Sequence, residues 1–194
     1  MAEVKVKKLK IAWGITGAGD KIAEILEVMK DLKKQSEDIV QIDVYLSKAA
    51  ETMLKFYRLD EELNKNFTKV TVESNANSPF LAGMVQSHKY EFLLIMPASS
   101  NTVAKIVNSI SDTLLTNAAL MSLKAFVPVW IMPVDYKEAI IYTKLPNGQE
   151  MKLRVRKEEA EQVRKLEATE DVRVFENPQK LREGFLTWLK TLKS

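Results

Sequence analysis

The chain has 194 residues, 46% apolar and 28% charged, which suits one domain with a sizeable buried core. A net charge of +3 is spread over both signs with no basic cluster interleaved with aromatics; it argues neither for nor against a nucleic-acid partner, and none is assigned. The absence of cysteine excludes disulfides, thiolate metal centres, iron–sulfur ligation and cysteine nucleophiles. The single histidine, His88, excludes a His-rich metal site, so redox chemistry here needs a bound organic cofactor or a non-thiolate metal.

Lys5 to Lys10 reads as a solvated arm running into a first strand, Lys10 to Trp13. That strand opens into the turn Gly14-Ile-Thr-Gly-Ala-Gly-Asp20, with Asp20 placed to cap a helix whose Ile22, Ile25, Leu26, Met29 and Leu32 share one face. Strand, glycine turn and helix form the opening of a nucleotide-binding unit. A P-loop needs Lys-Ser or Lys-Thr after Gly19, where Asp20-Lys21 stands, and that carboxylate repels a triphosphate. A dinucleotide fingerprint needs a third glycine where Ile22 stands. A tight turn without a ligand remains an alternative at this point.

A second strand, Ile39 to Leu46, leads into Ser47 and Lys48. Ser47 either caps the next helix or faces a ligand; Lys48 either counters a phosphate or is solvated. Asp43 lies within the strand, not clearly at its end, which weakens a nicotinamide reading. Helical patterns follow through Lys65, with Met53, Leu54, Tyr57 and Leu63 inward, then a short strand over Thr68 to Glu73 and a polar turn over Ser74 to Pro79. Phe80 to Lys89 reads as a helix. His88 falls at its end, where a cation suits the helix dipole, and a catalytic role for it is not expected.

Phe92-Leu-Leu-Ile-Met96 is too short for a typical helix and is bounded by Pro97, so it reads as a buried parallel strand. After Ser99, Ser100, Asn101 and Thr102, the residues Val103, Ile106, Val107 and Ile110 recur at helical spacing. The helix is expected to run on through Asp112 to Thr116 and Leu123. Small hydroxyl and amide side chains where a strand ends and a helix opens make an anion site, unless they serve only as helix caps. Phe126 to Met132 is the next buried strand, followed by the loop Pro133 to Tyr136.

Ile140 to Leu145, the turn Pro146-Asn-Gly148 and Glu150 to Val155 read as a β-hairpin. A charged helix over Glu158 to Glu167 turns Val163 and Leu166 inward, and Val172 to Phe175 forms a last short strand. Pro178 opens a closing helix with Leu181, Phe185, Trp188, Leu189 and Leu192 on its buried side. Trp13, Trp130 and Trp188 are expected in the core.

Pro97-Ala-Ser-Ser-Asn-Thr-Val-Ala-Lys-Ile106, with Asp112 and Leu114-Leu115, resembles the FMN-binding signature of the homo-oligomeric flavin-containing cysteine decarboxylases, and Gly14-Ile-Thr-Gly17 is similar to their first loop. The resemblance implies FMN as cofactor. It implies Thr16, Gly17, Ala18 and Ser47, with the helix-opening amides at Asn101, for the phosphate. It places Ala98, Ser99 and Asn101 along the ribityl chain and ring, and Met132 and Pro133 against the ring's far side; Gly19, Lys48 and Thr102 complete the cofactor-binding set. The decarboxylases carry an active-site His near the position of Gly83 and a Pro-x-Met-Asn clamp where this chain has Pro133-Val-Asp-Tyr136. Both are missing, so decarboxylation is not expected, and no catalytic side chain or metal is assigned.

The overall plan is similar to the archaeoflavoprotein and dihydromethanopterin reductase (acceptor) branch of that superfamily. This implies a ferredoxin-like electron donor, a redox-protein or pterin acceptor, and a trimer-based homo-oligomer. With no membrane-length apolar run and no signal-peptide pattern, a cytoplasmic location is expected. A nicotinamide-dependent oxidoreductase and a non-catalytic flavin-fold module are the alternatives. The expected fold is α/β, a single domain over residues 1–194: a three-layer sandwich around a flavodoxin/Rossmann-like, mainly parallel sheet. Residues 139–156 form an added C-terminal hairpin and residues 157–194 the last helices.

Overall fold

The computed structural model describes residues 8–145 and 147–192; residues 5–7 of the expected arm and Pro146 of the expected hairpin turn lie outside them. In chain order the elements are β1 (Leu9–Ile15), α1 (Ile22–Ser36), β2 (Val40–Leu46), α2 (Lys48–Phe56), α3 (Asp60–Asn66), β3 (Val70–Val72), α4 (Leu81–Gln86) and β4 (Leu93–Ala98). There follow α5 (Ser100–Val107), α6 (Leu114–Lys124), β5 (Val129–Pro133), β6 (Ala139–Lys144), β7 (Glu150–Val155), α7 (Lys157–Glu167), β8 (Val172–Val174) and α8 (Pro178–Thr191).

The continuous apolar character of β1, β4 and β5 has a direct cause: both faces of their sheet are covered. Ile11, Trp13 and Ile15 of β1, with Phe92, Leu94, Met96, Trp130 and Met132, pack against Ile25, Met29 and Leu32 of α1 and Leu181, Phe185 and Leu189 of α8. On the opposite face Ala12, Leu93, Ile95, Val129 and Ile131 meet Leu81 and Val85 of α4, Val103 and Ile106 of α5, Leu114 to Ala119 of α6, and Val163 and Leu166 of α7. Helices, sheet and helices make the expected three layers.

The sheet has six strands in the order β3-β2-β1-β4-β5-β8, and every neighbouring pair is parallel. From β1 the chain moves outward to β3, then crosses back to place β4 on the other side of β1. The strand order therefore reverses between β1 and β4, and the carboxyl edge beside that reversal is where ligands bind in open α/β sheets. β6 and β7 pair antiparallel, from Ala139 opposite Val155 to Lys144 opposite Glu150, as a separate hairpin.

Four local expectations are corrected. Asp20 does not cap α1: Lys21 holds the N-cap position in the left-handed region (φ 57) without a side-chain capping bond. The helix after Ser99 does not run on. It stops at Val107; Ser109 takes φ 58, and the N–H of Ile110 returns to the Lys105 carbonyl. Ile110, expected on the buried stripe, is therefore exposed. A new helix starts at Leu114, where Thr113 and Thr116 form a reciprocal capping box. Leu192, expected inward, lies at the end of α8 and is 38% exposed. No helix among the described residues is long and apolar enough to cross a membrane.

Candidate functional site

At the reversal point the loops after β1 and β4 are tied together through Thr16. Its N–H and its hydroxyl both donate to the Pro97 carbonyl, at 3.2 and 2.8 Å, and the Ser99 N–H donates to the hydroxyl oxygen at 3.0 Å. With its hydroxyl proton committed to Pro97, Thr16 positions the two loops.

Three helices begin around this junction. Ser47 caps α2, its hydroxyl accepting from the Ala50 N–H at 3.0 Å; Ser99 caps α5, accepting from the Thr102 N–H at 3.4 Å; Thr113 caps α6, accepting from the Thr116 N–H at 3.4 Å. All three caps line a single cavity of about 430 Å³, within the range of about 300–1,000 Å³ usual for small-molecule sites. The first amides of each helix lack intrahelical acceptors, and the three dipoles put partial positive charge at the cavity. Gly17 brings the β1 loop against the start of α2: a Cβ there would stand 2.6 Å from the Ala49 Cβ and 3.3 Å from its carbonyl carbon.

Of the residues expected from the sequence, Thr16, Gly17, Ser47, Lys48, Ser99, Asn101 and Thr102 line this cavity. Ala18, Gly19, Ala98, Met132 and Pro133 are not on its wall. Gly19 lies against the ring of Tyr57; Ala98 is buried at the end of β4 opposite Pro133; Met132 faces the core shared with α1 and α8. His88 is exposed just past α4 and is also off the wall.

Glu73, Asn75 and Thr113 line the cavity but were not singled out by sequence reasoning; Asp112 and Leu115, part of the stretch that resembles the FMN signature but not of the expected binding set, line it too. Glu73 accepts from the Leu114 N–H at 2.8 Å and from the Lys48 N–H at 3.4 Å. The Asp112 carboxylate pairs with Lys105 at 2.8 Å. The available signals were an acid following an edge strand and a Thr-x-x-Thr cap inside an apolar stripe.

An acid pair, Asp20 with Asp135, and the single acid Asp43 stand outside the cavity wall. Burial raises the pKa of Asp20, and the nearby Asp135 adds to the rise while Lys21 opposes it; Asp135 in turn accepts from the Ser100 hydroxyl. Asp43 is fully buried and accepts from Lys69, Gln41 and Tyr90. It is therefore not available to a nucleotide ribose.

A family profile described as Flavoprotein matches residues 2–183. An uncharacterized protein of Methanocaldococcus jannaschii is 42% identical, over 95% of this chain and 98% of its own length. A dihydromethanopterin reductase (acceptor) of the same organism is 34% identical over 91% of this chain and 96% of its own length. Among solved structures, Burkholderia xenovorans DmrB in complex with FMN, described as a cubic protein cage for redox transfer, superposes with a TM-score of 0.81. It is 30% identical, and the match covers 96% of this chain and 98% of DmrB. Sheet order, the cavity at the reversal point and the profile match over nearly the whole chain agree: this chain belongs to the Flavoprotein family.

Proposed function

We propose that the chain binds FMN in this cavity and works as a cytoplasmic electron-transfer flavoprotein. The observation that carries the reading is the convergence of Ser47, Ser99 and Thr113, the caps of three helices, with Gly17 and Asn101 on one cavity at the reversal point of the sheet. Unpaired helix-start amides suit a phosphate, and hydroxyl and amide side chains suit a hydroxylated ribityl chain. FMN, when bound, supplies exchange of one or two electrons; the protein supplies binding and orientation. Thr16 holds the two loops in register, Gly17 allows the close approach of α2, and the starts of α2 and α5 present the donors. No side chain is given an acid–base role.

The FMN bound to DmrB and its description as a cage for redox transfer support both the cofactor and a homo-oligomer, which we take as trimer-based. The name of the M. jannaschii reductase supports a pterin acceptor; a small redox protein is the other acceptor of the same reading, with a ferredoxin-like protein as donor. The buried position of Asp43 weighs against a nicotinamide cofactor.

A visible spectrum of the purified protein, followed by release and chromatography of any chromophore, tests the proposal. Flavin bands with FMN near one per chain are expected, with bleaching when reduced ferredoxin is added. A protein that stays colourless after incubation with excess FMN refutes the cofactor. Retained FMN that reduced ferredoxin leaves oxidised refutes the donor.

A further inference from the structure

The β6–β7 hairpin stands apart from both packed layers. Among the described residues, Ile140, Ile141, Tyr142, Met151 and Leu153 belong to neither core, and only Val155, at the root of the hairpin, is buried. The two faces differ in chemistry. Side chains alternate along each strand, so Ala139, Ile141 and Thr143 share a face with Val155, Leu153 and Met151 opposite them, and that face carries no charge. The other face holds Ile140 and Tyr142 with Arg154, Lys152 and Glu150; Lys152 lies over the Tyr142 ring at 6.0 Å. A split with period two marks a sheet with one face covered, and a lone two-stranded hairpin is marginally stable in water without such cover. Yet Met151 is 37% exposed and Leu153 40%.

We propose that the uncharged face of the hairpin is covered by the same face of a second copy, across a twofold axis. Such a contact needs a self-complementary patch. Ile141, Thr143, Met151 and Leu153 meet their own copies without setting charge against charge, and Lys152 and Arg154 of both copies stay in water. An acidic partner would be drawn to the cationic face instead. Size decides what the contact joins. Two six-residue strands present a face of roughly 200 Å², against about 800 Å² per partner in an ordinary stable complex. That is too little to hold two isolated chains together. It is enough to join trimers, each of which presents three such faces acting together. The proposal rests on the trimer-based homo-oligomer put forward above and extends it: threefold contacts alone close at three chains, and a twofold contact links one trimer to the next.

Sedimentation equilibrium on wild type and on a variant carrying Met151→Glu and Leu153→Glu tests this. Wild type is expected at the mass of six chains or more, and the variant at the mass of three. A variant with wild-type mass overturns the proposal and leaves the homo-oligomer standing. A variant that falls to monomers puts the hairpin in the trimer contact and overturns the twofold assignment. A wild type no larger than a trimer also overturns the proposal, and a monomeric wild type refutes the trimer as well. Flavin content is read separately in the same samples, so a wild type that refuses FMN removes the cofactor and leaves the mass comparison valid. Should the charged variant not fold, single cysteines replace it, since the chain has no other cysteine to compete. On oxidation at high dilution, Met151→Cys or Leu153→Cys is expected to give a disulfide-linked pair of chains and Tyr142→Cys, on the opposite face, none. No linked pair from either inner position, or an equal yield from Tyr142→Cys, overturns the proposal.

Discussion

Replacing Asp43 with Asn separates what holds the fold from what serves the site. The Asp43 side chain is 1% exposed, and its oxygens take Lys69 Nζ at 2.7 Å, Tyr90 Oη at 2.8 Å and Gln41 Nε2 at 2.7 Å. The Tyr45 hydroxyl joins the network at 2.6 Å from that of Tyr90. Burial pushes the Asp43 carboxyl upward, but the bonds from Lys69, Gln41 and Tyr90 outweigh it and hold the pKa below its ordinary value of 3.8. A hydrogen bond to a charged group contributes about 1.5–3 kcal/mol against about 1 for a neutral pair, so losing the charge across three bonds costs roughly 2–4 kcal/mol. The Lys69 side chain is 43% exposed and regains water, which reduces the figure to about 2 kcal/mol. At this chain length that lowers Tm by about 4–8 °C at pH 7.

The pH dependence has a definite sign. A carboxyl with a depressed folded pKa stabilises the fold fully above its unfolded value, near 3.8, and that contribution disappears as pH falls through the folded value. Thermal melts of Asp43→Asn and wild type from pH 3 to 8 should therefore show the gap at neutral pH closing toward the acid end. Flavin affinity should be unchanged, since Asp43 is not on the cavity wall. Equal Tm values at pH 7 refute the energetic reasoning. Loss of flavin from a variant that melts like wild type refutes the separation of network from site.

Gly17→Ala puts a Cβ 2.6 Å from that of Ala49 and forces the β1 loop away from α2, so a loss of about 1–3 kcal/mol and a fall in bound FMN per chain are expected; full flavin occupancy would remove Gly17 from the site. Thr113→Ala abolishes the capping box of α6 and should lower stability by about 1 kcal/mol, read as a Tm decrease of about 2–4 °C. Asn101→Asp adds a carboxylate to the cavity wall at the start of α5. Fluorescence titration should show FMN affinity falling at least about tenfold, with riboflavin, which lacks the phosphate, affected less; equal losses for both flavins would move the phosphate away from α5.

Much of the architecture was legible because the apolar runs are unambiguous. Phe92 to Met96 and Val129 to Met132 are short, uninterrupted and apolar, as strands covered on both faces must be; Phe126, expected in the second of these strands, instead precedes it at φ 57 and is exposed. The caps Ser47 and Ser99 were legible for the same local reason: each is a small hydroxyl residue between such a strand and a periodic helix. Glu73 could not be found this way. Its importance comes from bonds to Leu114 and Lys48, neither adjacent in sequence, and a single acid after a weak edge strand carries no local pattern. Met132 shows the opposite limit: strand alternation turns it to the α1 and α8 side, which a motif aligned along one dimension does not encode.

The break between α5 and α6 is where local and tertiary demands part, and it builds the site. Periodicity favours one helix, since Val103, Ile106, Val107 and Ile110 are followed in helical phase by Leu114 and Leu115. A continuous helix, however, would have no start at Leu114, and Thr113 and Thr116 would sit mid-helix with hydroxyls competing for the backbone. The chain instead ends α5 after two turns, spends Ser109 in the left-handed region and uses the two threonines as a reciprocal cap. Exposure of Ile110 is the consequence, and the gain is a third helix start on the cavity. Without that second start Glu73 would have no Leu114 amide to hold. The signature residues after Pro97 would then face a cavity with one fewer dipole. The break therefore belongs to the binding function as much as to the fold. A variant that favours a continuous helix, such as Ser109→Ala with Thr113→Ala, should lose FMN more completely than its loss of Tm alone accounts for.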